Sequence, residues 1–271
     1  YILCGRGNEV IAHRRAHILH FELAGVAAIA GAMPVAIEGE KGILKPEAIE
    51  KVIRPGVYSM PKTKLIEIEN THNLEGGTCY AKDDLEAVRT VAKRHNIYVH
   101  MDGARLFNAA TATGLSAKEI CSYTDTVTFC LSKGLGAPVG SLLCGDEATI
   151  AEARRVRKVL GGGMRQAGVL AAAGLYALEN NIERLGEDHE HAAMIADALR
   201  ATDWAVLAPV ETNIVYFSTP EHQSGEVRDA LAEQGIRCNA TGPETIRLVA
   251  SLEISKEDTR EVCEIISKLK L

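Results

Sequence analysis

The stretch Thr126-Val-Thr-Phe-Cys-Leu-Ser-Lys-Gly-Leu-Gly-Ala-Pro-Val-Gly-Ser141 carries the first signal of the fold. Val127, Phe129 and Leu131 alternate with smaller residues, which is the period of a β-strand. The run stops on Ser132-Lys133 and gives way to a turn holding Gly134, Gly136, Pro138 and Gly140. A lysine at a strand end, ringed by small residues, leaves room beside it for a flat group. The plain alternative is a solvated loop lysine, because most lysines lie on the surface.

Asn96-Ile-Tyr-Val-His-Met-Asp-Gly-Ala-Arg105 is a second short apolar run, and it stops on a carboxylate. In open α/β sheets, ligands sit beyond the carboxyl ends of the strands. Asp102 and Lys133 then face one crevice from neighbouring strand ends. Pyridoxal 5'-phosphate requires such a pair: a lysine for its aldehyde and an acid that keeps its pyridine nitrogen protonated.

Four stretches together, His100-Met-Asp-Gly-Ala-Arg-Leu-Phe-Asn108, Leu131-Ser-Lys-Gly-Leu-Gly-Ala-Pro-Val-Gly140, Gly161-Gly-Gly-Met-Arg-Gln166 and Glu69-Asn-Thr-His-Asn73, resemble the L-threonine aldolase family (low-specificity type). Its members are pyridoxal-phosphate enzymes of the aspartate-aminotransferase fold type. The resemblance runs from about Glu9 to near the C-terminus. It implies retro-aldol cleavage of L-threonine or L-allo-threonine to glycine and acetaldehyde. It further implies a cytoplasmic homotetramer with active sites at the dimer interface.

Matched motif by motif, the resemblance implies that Lys133 carries the cofactor and Asp102 holds its pyridine nitrogen. His17, in Ala16-His-Ile18, stacks on the ring and contacts the substrate hydroxyl. Arg105 and Arg247 hold the substrate carboxylate, a task suited to the guanidinium fork. Arg165 reaches a cofactor phosphate, across the subunit interface. Each arginine also has a plainer reading. Arg105 can form an ordinary ion pair, and Arg165 can be a loop salt-bridge partner. Arg247 alternates with Ile246 and Leu248, which equally fits the solvent face of an edge strand. The sequence departs from the family at Phe21, where a Tyr is common, and at Ser59, near a common His. In the family, a Ser-Gly-Thr-type turn that cups the cofactor phosphate lies in a segment ahead of this point, and the sequence starts at Tyr1 without it. Two other readings stay open: a β-eliminating lyase or transaminase on the same fold, and a cofactor-poor oligomer without enzymatic activity.

Composition narrows the classes. The chain has 271 residues, 46% hydrophobic and 24% charged, as in ordinary globular proteins. A net charge of −6 argues against nucleic-acid binding. No apolar run is long enough for a membrane span. The seven cysteines form no CxxC pair and read as free thiols of a reducing compartment. His13, His17 and His20 have helical metal-ligand spacing, but no carboxylate set accompanies them, so no metal is expected.

The remaining pattern predicts an α/β fold: a mostly parallel sheet flanked by helices, residues 1–183, with a small C-terminal α+β domain, residues 184–271. Strands are expected at Glu9–Ala12 and Lys64–Glu69. The His13–Glu22 segment is expected to lead into a helix rich in Ala and Gly that runs to about Gly31, and further helices are expected over Lys45–Arg54 with Pro46 in the first turn, and over Asp83–His95 with Leu85, Val88, Val91 and Ala92 on one face. Further helices are expected over 147–160, 167–180 and 182–201, the last polar, with His189 and His191 facing solvent. The C-terminal part reads as strands near 204–207, 212–218 and 245–249, a helix near 225–234, and a last helix capped by Ser255.

Overall fold

Ile66 and Ile68 point to one side of a strand and Glu67 and Glu69 to the other, and this split extends across the larger sheet. A computed structural model describes residues 1–271. The larger sheet contains β1 (Glu9–His13), β2 (Met33–Ile37), β3 (Thr63–Glu69), β4 (Tyr98–Asp102), β5 (Thr126–Cys130) and β6 (Ser141–Gly145) in the order β2-β1-β3-β4-β5-β6. All neighbours are parallel except β5 and β6. The helices are α1 (His17–His20), α2 (Gly25–Ala28), α3 (Pro46–Glu50), α4 (Lys82–His95), α5 (Leu106–Thr113), α6 (Ala117–Cys121), α7 (Glu147–Val159), α8 (Gly168–Asn180), α9 (Leu185–Arg200), α10 (Ser224–Glu233) and α11 (Lys256–Lys268). The second sheet is antiparallel, with β7 (Val206–Leu207), β8 (Ile214–Ser218), β10 (Thr245–Val249) and β9 (Asn239–Gly242) in that order across it.

Ile11, Ile66, Ile68, Val99, Met101, Val127 and Phe129 line the apolar face of the larger sheet. They are buried together with Leu85, Val88, Val91 and Ala92, the α4 face expected from the sequence. The opposite face is polar. Glu67, His100 and Thr126 lie in register across it, and one step on, so do Glu69, Asp102 and Thr128. Asp125 anchors the start of this register. Its carboxylate takes a two-pronged bond from Arg89 at 2.7 and 2.9 Å and accepts from the Val99 N–H at 2.7 Å. Burial and packing of the apolar face are the main driving force for the sheet.

The second core is built on Val215, Phe217, Ile246 and Leu248, covered by Ala192, Ile195 and Leu199 of α9 and Ile266 of α11. Leu185, at the start of α9, belongs to the first core, so this helix contributes to both. Ser255 and Asp258 form a reciprocal capping box at the start of α11.

Several local expectations are corrected. The Ala- and Gly-rich helix expected up to Gly31 covers only Gly25–Ala28. Just ahead of it the backbone turns at Glu22, Leu23 and Ala24, which all have positive φ, a backbone state uncommon for non-glycine residues. The helix expected over 45–54 ends at Glu50. Strands β2 and β9 carry no clear strand pattern. β2 holds Pro34, which is tolerated because β2 is an edge strand. α9 is amphipathic rather than polar, and its histidines do not both face solvent. His191 is buried, and His189 Nε2 lies 3.1 Å from Asn108 Nδ2. Nor does Arg247 lie on an edge strand: β10 sits between β8 and β9.

Truncating the strand core tests this arrangement. Ile66→Ala is expected to lower unfolding free energy by about 2–5 kcal/mol in urea titrations. Val206→Ala, at a largely exposed side chain, is expected to stay within about 0.5 kcal/mol of wild type.

Candidate active site

The polar register delivers its last residues to one place. Glu69 ends β3 and pairs with Asp102 at the end of β4, which pairs with Thr128 of β5. The chain then leaves β5 towards Lys133. Gly103 permits the exit after Asp102, because a Cβ there would stand 2.9 Å from the Thr128 carbonyl oxygen. The Asp102 carboxylate accepts from the Ala104 N–H at 3.0 Å.

Lys133 sits in a tight turn. The Gly136 N–H donates to the Lys133 carbonyl at 2.9 Å, and Ala137 N–H donates to Leu131 at 2.9 Å. Gly136 has φ +71°, and a Cβ there would meet Leu252 Cδ2 at 2.0 Å, so both backbone and space call for glycine. Lys133 and Arg105 line a cavity of about 430 Å³, together with Ser132, Gly134, Pro138, Asn213 and Ser251.

Arg105 and Arg247 come close enough to repel. Burial first, then Arg247, lowers the Arg105 pKa to about 10, which leaves it charged at neutral pH. The Nε atoms of both arginines are buried and have no acceptor within the chain. Buried guanidinium donors normally find a partner, so a bound anion, such as a carboxylate, suits this pair. One Arg247 contact is made: its Nη1 donates to Asn73 Oδ1 at 2.7 Å.

His17 joins the group through Glu69. Its backbone N–H donates to Glu69 Oε2 at 2.8 Å, and its ring lies against Phe21 with centroids 4.6 Å apart. Glu69 Oε1 accepts from the Asn73 N–H at 2.7 Å. Burial foremost raises the Glu69 pKa to about 7, and Lys133 is among the groups that pull it down. His72 is buried beside it, its Nε2 3.0 Å from His13 Nδ1, and burial lowers its pKa to about 3.

The structure thus groups Lys133, Asp102, Arg105 and Arg247, and links His17 to them. Arg165 stands on the exposed loop after α7 and does not line this cavity. Ser59 is exposed on the loop before β3. Glu69 and Asn73 were read only as part of a motif and a turn. The signal for Glu69 was available: a carboxylate at a strand end, alternating with Ile66 and Ile68.

Pyridoxal 5'-phosphate fits these residues on two counts. Lys133 lines the cavity together with Gly134 and Gly136, which leave no room for a side chain, and a carboxylate, Asp102, ends the neighbouring strand outside that lining. No helix is long and apolar enough to cross a membrane.

The sequence profile of the family described as Beta-eliminating lyase matches residues 1–221. The chain is 40% identical over 260 residues to the low specificity L-threonine aldolase of Escherichia coli (strain K12), covering 96% of this chain and 76% of that protein. It is 41% identical over 261 residues to low-specificity L-threonine aldolase 1 of Arabidopsis thaliana, covering 93% and 73%. Among solved structures, the Leishmania major threonine aldolase superposes with a TM-score of 0.80 at 24% identity, covering 98% of this chain and 79% of that one. A Thermus thermophilus aspartate aminotransferase mutant gives 0.73 at 17% identity, covering 98% and 75%. These two share the fold.

The depressed His72 pKa fixes a pH dependence. Only the unfolded chain takes up this proton as pH falls below 6.5, so the His72 contribution to stability is complete above 6.5 and lost towards pH 3. Urea titrations at pH 7.5 and 5 are expected to show wild type losing up to about 2 kcal/mol more than His72→Gln.

Proposed function

Because the chain belongs to the L-threonine aldolase family, whose members use pyridoxal phosphate, we propose that it cleaves L-threonine or L-allo-threonine to glycine and acetaldehyde. The observation that carries this reading is the pair of buried, unpartnered Nε donors on Arg105 and Arg247 beside the cavity that holds Lys133. Such a pair suits an amino-acid carboxylate, gripped while the reacting carbon lies near the lysine.

In this reading Lys133 would hold the cofactor through its aldehyde, and Asp102 would keep the pyridine nitrogen protonated. Bound there, the cofactor supplies an electron-poor ring that accepts the electron pair of the broken Cα–Cβ bond. Arg105 and Arg247 would bind the α-carboxylate and fix the substrate's rotation about Cα, so that Cα–Cβ is the bond presented for cleavage. His17 orients the β-hydroxyl and takes its proton, directly or through water. The hydroxyl oxygen becomes the acetaldehyde carbonyl, and a proton returned to Cα completes glycine, so the reaction balances without a further reactant.

We also propose that the protein works as a cytoplasmic homotetramer with active sites at the dimer interface. The exposed apolar side chains of Val159, Leu160, Met164, Val169, Leu175 and Tyr176, on α7, α8 and their connection, support an interface there. Arg165 lies on the same connection, which supports a role for it towards the cofactor phosphate of a neighbouring subunit.

The purified protein, supplied with pyridoxal phosphate and L-threonine, is expected to release glycine and acetaldehyde in equal amounts. Ammonia with a keto acid as the main products would instead mean β-elimination. Arg247→Lys is expected to raise KM for threonine at least tenfold, a loss of about 1.4 kcal/mol or more in binding, because lysine cannot reproduce the fork.

A further inference from the structure

Glu69 lies among the site residues, yet the proposed reaction gives it no part. It is only 4% exposed. Both of its oxygens are committed to backbone N–H groups of different segments. Oε2 accepts from His17 at 2.8 Å and Oε1 from Asn73 at 2.7 Å. His17 opens α1, and Asn73 opens a short 3₁₀ turn, Asn73–Glu75. N–H groups at such first positions have no acceptor inside their own helix. Asn73 carries the constraint onward, since its Oδ1 accepts from Arg247 Nη1 at 2.7 Å. One carboxylate therefore ties the His17 segment to the Asn73 loop and, through it, to the Arg247 fork.

We propose that Glu69 is a positioning residue of this site: its carboxylate clamps the His17 and Asn73 segments together and so fixes the hydroxyl-facing imidazole relative to the carboxylate-binding arginine. The inference rests on the aldolase reading for its catalytic consequence, and on the two hydrogen bonds for the clamp itself.

The clamp is tightest in the ionised form. A protonated carboxyl keeps an acceptor lone pair on each oxygen, but its hydroxyl oxygen accepts weakly, so one of the two charge-assisted N–H bonds is weakened. The groups facing Glu69 are Asp102 from β4, Lys133 from the turn after β5, His72 from its own loop, and Glu67 two residues back on β3; His17 and Arg105 flank it. Burial and Asp102 hold its proton on, while the two N–H bonds and Lys133 draw it off, and the balance falls at about 7. The clamp therefore tightens as pH rises through neutrality.

The test uses the full chain loaded with pyridoxal phosphate, as wild type, Glu69→Gln and Glu69→Asp. Hydrogen–deuterium exchange at pH 7.5 reads the amides of His17 and Asn73, and threonine turnover from pH 5.5 to 9 reads kcat and KM. Glu69→Gln keeps one acceptor oxygen, so exchange at one of the two amides is expected to quicken at least tenfold. Its kcat is expected to fall about tenfold or more and to lose the limb that rises near pH 7 in wild type. Glu69→Asp, still a carboxylate, is expected to retain a titrating limb at reduced kcat. If Glu69→Gln does not fold, the wild-type limb together with Glu69→Asp decides: a limb unmoved by the shorter acid overturns the proposal. Wild-type exchange at both amides with an unchanged pH profile in Glu69→Gln overturns it as well. The two levels separate cleanly. Absence of threonine cleavage by wild type overturns the aldolase reading, whereas the exchange data decide the clamp.

Discussion

The register of three parallel strands is the constraint from which the site follows. Glu69, Asp102 and Thr128 pair across β3, β4 and β5, and each strand ends within a few residues of that line. Side chains alternate along a strand, so one hydrophobic choice fixes both faces. Ile66, Ile68, Val99, Met101 and Val127 go to the core. Glu67, Glu69, His100 and Asp102 must then share the opposite face. A one-residue slip of any strand would exchange the two sets. The acids of the site are therefore held by the burial of their aliphatic neighbours.

Collecting charge in this way has an electrostatic consequence. Carboxylates gathered on one sheet face raise the proton affinity of the buried ones: burial first and then Glu69 and Asp102 push Glu67 up, and burial first, with Asp102 adding to it, pushes Glu69 up. Lys133, Arg105 and Arg247 supply the opposing charge. Among these groups, Glu69 is satisfied by backbone N–H bonds, whereas Glu67 has no hydrogen-bond partner for either oxygen. The two arginines keep unpartnered donors of their own. Arg105 also lines the cavity beside Lys133, and a guanidinium left short of acceptors is what an anionic substrate can exploit, because binding restores bonds that folding left unmade.

Much of this was legible in the sequence. The alternation in Thr126–Leu131, the carboxylate ending Tyr98–Asp102 and the apolar face of α4 are local patterns, and the structure keeps them. Lys133 and Asp102 could be placed together because parallel strands put their carboxyl ends on one edge. Other features depend on chain returning from far away. For Arg247 the sequence leaves a carboxylate-binding role and a solvent-facing edge position side by side; the central place of β10 and the Asn73 loop against Arg247 come only with the fold. His191 and Asp188 are polar residues on a helix that turned out to touch both cores. The turn at Glu22–Ala24 had no glycine or proline to announce it. The pairing of Glu69 with the His17 N–H spans 52 residues, and no spacing rule predicts it.

Treating the protein with pyridoxal phosphate and then borohydride, followed by peptide mass mapping, tests the central assignment most directly. The account predicts that the cofactor becomes fixed to the peptide carrying Lys133 and to no other, and that Lys133→Ala abolishes the labelling. Labelling at a different lysine, or equal labelling in Lys133→Ala, would contradict it.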